Sequence, residues 1–345
     1  MNDILDIVKE LSLIDAPSGR EKPVRDKILE LIGDSAECNI DKLGNIICEK
    51  KGDSKPENKI MIDAHMDEVG IIITSVSDNG RIKFDTVGGI DPSVLLGRRI
   101  KFGNVNGIIE CIPIHLTEKE NSLNLPKIDD MCIDIGTSSK EESLKYVSLG
   151  ETGVFQSDFT EFGDGFIKCK ALDDRIGCAI LIYLIKQDLP YDMTFTFTVQ
   201  EEVGLIGAKT ATFTVAPHSA IVLETTTAAD IAGSDDTNFV CSLGNGPVVS
   251  FMDRRTVYNK NYYDQALKIA KEKNIKAQPK CAVAGGNNAG SIHSSNDGVA
   301  TLALSVPCRY LHSAVCVVNK KDIYDTAKLA LIMAEKIASN SVRAV

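Results

Sequence analysis

Histidine and acidic side chains follow short apolar runs at several places in the sequence of 345 residues. His65 and Asp67 come directly after the run IMIDA at 60–64. Alternation along a strand puts both side chains on one side, so that the carboxylate can accept one imidazole N–H while the other nitrogen meets a metal ion. A hydrogen-bonded histidine at a strand end explains the pair alone equally well.

Two pairs of acidic residues lie at further junctions between predicted strands and helices. The motif ALDDRIG at 171–177 places Asp173 at the start of an apolar helix, where acids also complement the helix dipole. Glu201 and Glu202 follow the run TFTFTV at 194–199, and open α/β sheets bind ligands beyond the carboxyl ends of their strands. Two like charges at such a place require a compensating cation or a shared proton.

Two more predicted strands end near an acidic residue or a histidine. Glu224 ends the run AIVLE, and His312 lies in the loop after TLALSV. Termination of a strand by a polar residue explains each one separately. Pooled at one edge of a sheet, however, two histidines and three carboxylates suit two divalent ions, zinc or cobalt by ligand type. Such ions would activate a hydroxide and polarise a carbonyl, with a further glutamate to manage the proton.

Alternating helix and strand patterns surround these residues. Apolar residues spaced three and four apart predict helices that include 3–13, 23–33, 173–187, 263–275 and 320–338. Runs rich in β-branched residues lie between them and predict strands. This alternation predicts an α/β fold with a mostly parallel central sheet flanked by helices.

The stretch from 68 to 163 has a different texture. Short alternating segments are interrupted by Gly, Asn and Asp at close intervals, which predicts a small β-barrel or sandwich. We therefore expect an α/β domain formed by residues 1–67 and 164–345, with a β-rich domain at 68–163 inserted into it.

Composition excludes several classes of protein. The net charge of -10 and the scarcity of unmixed basic stretches argue against a nucleic-acid partner. We expect no membrane association, because the N-terminus lacks a signal-peptide pattern and every apolar run is too short to cross a bilayer. The ten cysteines form no C-x-x-C pair, which favours buried free thiols in a reducing compartment and hence the cytoplasm.

Five ordered motifs resemble one known family over nearly the whole chain. They are AHMDEVG at 64–70, ALDDRIG at 171–177, EEVGLIGA at 201–208, the segment ending at Glu224, and SVPCRYLHS at 305–313. In this order they resemble the tetrahedral aminopeptidases, also classified as glutamyl aminopeptidases and, in some bacteria, as endoglucanases. The resemblance implies a zinc-peptidase-like fold and a metal-dependent enzyme that removes N-terminal residues from short peptides through a metal-bridged hydroxide.

The resemblance also implies a role for each motif residue. The five expected ligands of two divalent ions are His65, Asp173 as the bridge, Glu202, Glu224 and His312. Asp67 would orient His65, and Glu201 would be the catalytic base. The β-rich insert would be a dimerisation module of a homo-oligomer, and six dimers would build a tetrahedral dodecamer.

Two positions depart from the family pattern. Glu224 stands where aspartate is frequent, and Asn288 in GGNNAG at 285–290 stands where the family has an aspartate expected to face the substrate. His293 and His115 are further candidates for substrate contact, although an inert role explains each as well.

The sequence also permits two other classes of function. One is a different two-metal hydrolase, such as a deacylase or a glycan-directed enzyme, although most glycosidases use two carboxylates without metal ions. The other is a non-catalytic assembly or binding protein on the same fold, which would be expected to lack the base or a ligand.

Overall fold

The computed structural model describes residues 3–113, 126–234 and 239–344. Helices in this part of the chain are α1 (Ile4–Ser12), α2 (Lys22–Ile32), α3 (Lys140–Ser143), α4 (Leu172–Ile185), α5 (Ile206–Val215), α6 (Lys260–Glu272), α7 (Ala289–Ile292) and α8 (Lys320–Ala338). Short 3-10 turns lie at Gly33–Ser35, Pro92–Val94 and Ile128–Asp130. None of the described helices is long and apolar enough to cross a membrane.

The strands form a large sheet, a closed barrel and a small sheet. In chain order they are β1 (Glu37–Ile40), β2 (Ile46–Lys50), β3 (Ile60–His65), β4 (Gly70–Val76), β5 (Ile82–Val87), β6 (Arg99–Phe102), β7 (Val105–Cys111), β8 (Met131–Asp134), β9 (Thr152–Phe155), β10 (Thr160–Phe162), β11 (Phe166–Cys169), β12 (Met193–Thr198), β13 (Ser219–Thr227), β14 (Val248–Val249), β15 (Gln278–Pro279), β16 (Ala300–Cys308) and β17 (Cys316–Asn319).

The large sheet has the order β1-β2-β12-β3-β13-β16-β14-β15. Its centre is parallel, because β3 pairs in parallel with β12 and β13, and β13 pairs in parallel with β16. All six residues of β3 and all six of β12 are buried, as expected for strands covered by helices on both faces. This arrangement confirms the predicted α/β class with a mostly parallel central sheet.

The barrel is closed in the order β4-β5-β8-β7-β6-β9 and has its own apolar core. Inward-facing residues such as Ile71, Ile73, Phe84 and Ile133 are nearly inaccessible to solvent. Alternation along β4 and β5 produces this core, because every second residue of a strand faces the barrel interior. A separate, larger core lies between the main sheet and its helices.

The barrel strands lie within the stretch predicted as an insert. The last strand of that stretch, β10, pairs instead with β11, which also pairs with β17 next to the main sheet. The boundary at 163 therefore stays a prediction.

The prediction that all cysteines are free thiols is wrong for one pair. Cys38 and Cys48 lie opposite each other in the antiparallel pairing of β1 and β2, with Cα atoms 4.1 Å apart, and form a disulfide. Their spacing in the sequence carries no motif, and only the register of the two strands brings them together. Cys178 in α4 is a buried thiol, as predicted.

Candidate metal centre

The carboxyl ends of four neighbouring strands bring the candidate ligands together. His65 ends β3, Glu202 follows β12, Glu224 lies near the end of β13, and His312 follows β16. The parallel register aligns these ends, since Thr198 lies beside His65 and Glu224 beside Ser305. Asp173 joins them from the first turn of α4, where its backbone is not helical (φ -85°, ψ 113°).

The first half of the cluster consists of His65, Asp173 and Glu224. The Nε2 atom of His65 lies 3.4 Å from Oδ1 of Asp173 and 3.4 Å from Oε1 of Glu224. Glu224 thus lies as close to His65 as Asp173 does. Its side chain is one methylene longer than that of aspartate, the residue that is frequent at position 224 in the family.

The second half consists of His312, Asp173 and Glu202. The Nε2 atom of His312 lies 3.3 Å from Oδ2 of Asp173 and 3.4 Å from Oε2 of Glu202. Asp173 therefore belongs to both halves and directs a different carboxylate oxygen to each. A carboxylate between two metal ions has this arrangement.

These spacings fit ligand atoms around a metal ion better than hydrogen bonds. Tetrahedral coordination with bonds of about 2.0–2.1 Å places neighbouring ligand atoms about 3.3 Å apart. A charge-assisted hydrogen bond would bring nitrogen and oxygen to about 2.7–2.9 Å. In addition, Oδ1 of Asp173 and Oε1 of Glu202 are buried without a hydrogen-bond partner. The donor set, its spacing and its unpartnered oxygens all fit a metal.

The charges of the cluster are poorly balanced without a cation. Burial and nearby carboxylates raise the pKa of Glu202 to about 8, although His312 opposes this shift. Burial lowers the pKa of His312, but Asp173 and Glu202 outweigh it and raise the pKa to about 10. Burial likewise raises the pKa of Glu224 well above its usual value. Divalent cations would replace the protons that these groups otherwise retain.

His312 is oriented by the backbone of the barrel. Its Nδ1–H donates to the carbonyl of Gly89, 2.6 Å away, in the loop that follows β5. This bond directs the other ring nitrogen, Nε2, toward Asp173 and Glu202. The contact between a metal-ligand histidine and a backbone carbonyl is a common orienting arrangement, and no residue type in the sequence announces it.

Comparison with known proteins identifies the family. The model of the family described as M42 glutamyl aminopeptidase matches residues 44–329. The chain belongs to the M42 aminopeptidase family. A relative in Acetivibrio thermocellus is 38% identical over 330 residues, which cover 95% of this chain and 97% of the relative. The lysyl aminopeptidase of Pyrococcus furiosus is 32% identical, and the match covers 91% of each chain.

Solved structures share the whole M42 fold. An aminopeptidase from the archaeon Desulfurococcus kamchatkensis superposes with a TM-score of 0.92 at 33% identity, covering 99% of this chain and 98% of that one. The TET1 peptidase of Pyrococcus horikoshii, which assembles into a tetrahedron or a large octahedral shell, gives 0.83 at 32% identity and covers 97% and 99%. The suspected family is therefore confirmed.

In this M42 chain, the carboxylate of Asp67 makes shorter contacts with other groups than with His65, the histidine that it was predicted to orient. Its carboxylate accepts from the Ser18 hydroxyl at 2.6 Å and from the backbone N–H groups of Glu201 at 3.0 Å and Glu202 at 3.2 Å. Oδ1 lies 3.4 Å from Nδ1 of His65, which makes no hydrogen bond in the described structure. Asp67 therefore anchors the turn that presents the two glutamates.

Glu201 faces the same cavity as the ligands. Burial, together with the carboxylates of Glu202, Asp67 and Asp173, raises the pKa of Glu201 to about 8 against the opposing effect of His65. The cavity has a volume of about 330 Å³. Its wall also includes Thr225–Thr227, Lys280, Gly285–Asn287 and Ser305.

Asp174 was not singled out from the sequence, and the structure places it beside the first half. One of its oxygens comes within 4.8 Å of ligand atoms of His65 and Glu224. It accepts from the backbone N–H of Gly177 at 2.9 Å, which is a helix N-terminal contact. Its second oxygen is buried and unpartnered.

Asn288 lies inside the protein and not on the cavity wall. Its Nδ2 donates to Oδ2 of Asp63 and to the hydroxyl of Thr198, both at 2.8 Å. Burial raises the pKa of Asp63 to about 6. An amide at 288 can donate to this carboxylate, whereas a second carboxylate would repel it or share its proton. The expected substrate contact is thus replaced by an internal one, and the neighbouring Asn287 lines the cavity instead.

His293, another candidate substrate contact, does not line the cavity in the described structure. The Nδ1–H of His293 donates to the carbonyl of Ala289 at 2.7 Å, one turn earlier, and the residue is absent from the cavity wall. His115 lies outside the described residues.

Proposed function

We propose that this M42 chain is an aminopeptidase that binds two divalent ions, zinc or cobalt, and removes N-terminal residues from short peptides. His65, Asp173 and Glu224 would hold one ion, and His312, Asp173 and Glu202 the other. The observation that carries the proposal is the position of Asp173, whose two oxygens lie 3.4 Å and 3.3 Å from the histidines of the two halves.

Two divalent ions, when bound, would lower the pKa of a water molecule and polarise the scissile carbonyl. Glu201 would take the proton of the attacking water and pass it to the leaving amine as the C–N bond breaks. The hydrogen bond of 3.0 Å from its backbone N–H to Asp67 supports this role, because it fixes the turn on which Glu201 sits.

The size of the cavity supports action on a chain end. About 330 Å³ lies at the lower end of the range of about 300–1,000 Å³ seen for ligand pockets. A single residue with its free amine fits such a space better than a long polymer segment. Relatives carry names for opposite side-chain charges, lysyl and glutamyl, so membership of the family leaves the preferred residue open.

Assembly into a homo-oligomer belongs to the same proposal. Large apolar side chains are exposed along the stretch predicted as the dimerisation module: Leu96, Ile108, Ile112, Leu144, Tyr146 and Leu149. Exposed apolar surface of this kind is typical of contact sites between proteins. The assembled TET1 relative supports an oligomer, and both the dodecamer and the cytoplasmic location remain predictions.

Replacement of Glu201 by Gln tests the proposed reaction. We expect E201Q to bind two metal ions per chain, as the wild type does, but to lose turnover by a factor of about 10² or more, because proton transfer contributes about 10²–10⁴. Metal content by mass spectrometry and hydrolysis of a panel of aminoacyl-p-nitroanilides measure the two effects. The matched control is Glu272→Gln, at the exposed end of α6. Undiminished hydrolysis by E201Q would show that Glu201 does not transfer the proton in the reaction.

A further inference from the structure

The turn between β1 and β2 has a fully buried last residue, Asn45. Its neighbours Lys42 and Leu43 in the same turn are exposed, whereas Asn45 is 0% exposed. The hairpin lies beside β12, since Ile46 pairs with Phe197 in the register of β2 and β12. A buried side-chain amide needs partners for its oxygen and for its two N–H donors. The partners of Asn45 lie on both sides of the residues that follow β12.

The amide of Asn45 joins the two ends of residues 199–207, here called the glutamate loop because they include Glu201 and Glu202. Oδ1 of Asn45 accepts from the backbone N–H of Val199 at 2.9 Å, and Nδ2 donates to the carbonyl of Gly207 at 3.0 Å. The backbone N–H of Gly207 donates to the carbonyl of Val199, also at 3.0 Å. These bonds close the base of the glutamate loop between the end of β12 and the start of α5.

The surroundings of Asn45 determine the orientation of its amide. A backbone N–H can only donate, so the atom of Asn45 that faces Val199 must be the oxygen. The nitrogen faces acceptors, among them the carbonyl of Gly207 and Oδ2 of Asp41 at 2.6 Å. A carboxylate at position 45 could still accept from Val199, but it could not donate to Gly207 and would be repelled by Asp41.

The glutamate loop needs such support because its own backbone is unfavourable. Gln200 (φ +57°) and Leu205 (φ +60°) both have left-handed conformations, which are costly for residues other than glycine. Conformations of this kind persist only where the surrounding structure enforces them. The approach of Asn45 is also close, since a Cβ atom at Gly207 would clash with Oδ1 of Asn45 and with the carbonyl of Val199.

We propose that Asn45 is a positioning residue, whose amide holds the glutamate loop in the conformation that presents the base Glu201 and the ligand Glu202 to the metal centre. This inference rests on the proposed aminopeptidase function. Asp67 holds the middle of the loop through the N–H groups of the two glutamates, and Asn45 holds its two ends. Loss of the amide contacts would therefore leave the loop attached but allow both glutamates to shift.

Asn45→Asp tests the inference, because it keeps the shape of the side chain and removes the donor. In the zinc-loaded enzyme, kcat for the aminoacyl-p-nitroanilide that the wild type hydrolyses fastest should fall about tenfold or more, since a displacement of about 1 Å can cost about 10²-fold. KM should change little, because Asn45 is not part of the cavity wall. A purely structural role would lower the melting temperature without this change in kcat.

Two measurements on the metal-free protein are independent of activity. Zinc titration by calorimetry should show that N45D binds one ion about tenfold more weakly, the one that Glu202 would hold, as expected when the support of a ligand is lost. Amide hydrogen exchange should be faster across residues 199–207 in N45D than in the wild type. Asn39→Asp is the matched control, because Asn39 is exposed on β1 of the same hairpin, and it should leave all these quantities unchanged.

Asp41→Ala provides a second variant if N45D does not fold, since it removes the acceptor that orients the amide and should produce smaller changes in the same direction. A folded variant of either kind with the kcat, zinc affinity and exchange of the wild type would overturn the inference and leave the proposed function intact. If the zinc-loaded wild type hydrolyses none of the nitroanilides, the proposed function fails and the inference fails with it.

Discussion

The two halves of the proposed metal centre are supported in different ways. His65 is 1% exposed and ends a fully buried central strand, so the main sheet determines its position. The side chain of His312 is 30% exposed, lies in a loop and is oriented by Gly89, which follows the barrel strand β5. One half therefore belongs to the α/β scaffold alone, whereas the other depends on the contact with the barrel.

Because the barrel orients His312, we expect it to affect the proposed reaction as well as assembly. Gly88 and Gly89 are two residues of the barrel stretch that approach the cluster, and a Cβ atom at Gly88 would lie 3.1 Å from Cβ of Glu202. A movement of the barrel would be transmitted to His312 and Glu202 before it reached His65 and Glu224. Variants that affect both halves, one half or the barrel contact separate these contributions.

Asp173→Ala should have the largest effect, because Asp173 belongs to both halves. We expect metal binding to fall from two ions per chain to less than one, and kcat/KM to fall by about 10³ or more, as several kcal/mol of transition-state stabilisation are lost. Metal content and nitroanilide hydrolysis measure the two quantities. Asp188→Ala is the control, since Asp188 is exposed after α4. Retention of both ions by D173A would contradict the shared bridge.

The histidines should differ in their effect on the stability of the metal-free protein. Burial lowers the pKa of His65, but Glu224, Asp173 and Asp67 raise it well above its usual value, so the charged form stabilises the fold. At pH 6, below the unfolded pKa of about 6.5, this contribution is fully present, and it is lost as the pH rises through the folded value. His65→Gln should therefore cost about 3 kcal/mol of unfolding free energy.

His312→Gln should cost less, about 1 kcal/mol, because solvent screens its partly exposed ion pairs. Urea unfolding of both metal-free variants at pH 6 measures the difference. Equal losses of unfolding free energy would mean that the sheet and the loop support the two halves equally, which would contradict the proposed difference between them.

The sequence predicted the part of the site that the main sheet builds. His65, Glu202, Glu224 and His312 follow separate apolar runs, and parallel strands bring their carboxyl ends to one edge. The long helix α8 was also predicted from its apolar spacing, and Asn319 caps it by accepting from the N–H of Lys321. The local hydrophobic periodicity and the ends of the predicted strands were sufficient to predict these parts of the structure.

Contacts between distant segments could not be predicted in the same way. Gly89 acts through a backbone carbonyl that any residue carries, so its type gives no signal. Asn288 bonds to Asp63, 225 residues earlier, and its role depends on that partner and not on its place in GGNNAG. The disulfide of Cys38 and Cys48 follows from strand register, which a search for spaced cysteine motifs does not consider.

Gly88→Ala should have the smallest effect and should reach only the second half. The added Cβ would meet Cγ1 of Val69 at 3.0 Å and Cβ of Glu202 at 3.1 Å, and the residue has a φ of +87°, which strains any side chain. The shift would loosen the Gly89 contact with His312. We expect the affinity for one of the two ions to fall about tenfold, the lower end of the effect of losing an orienting partner, while the other ion binds as before.

Gly97→Ala separates the contact from the backbone strain. Gly97 also lies in the barrel and has a φ of +74°, but nothing lies within 4 Å of a Cβ added there. Titration of the metal-free proteins with zinc, followed by calorimetry, should show two unchanged sites in G97A and one weakened site in G88A. Equal weakening of both ions in G88A would mean that the barrel supports the whole cluster, and no change would mean that the loop of His312 holds its own geometry.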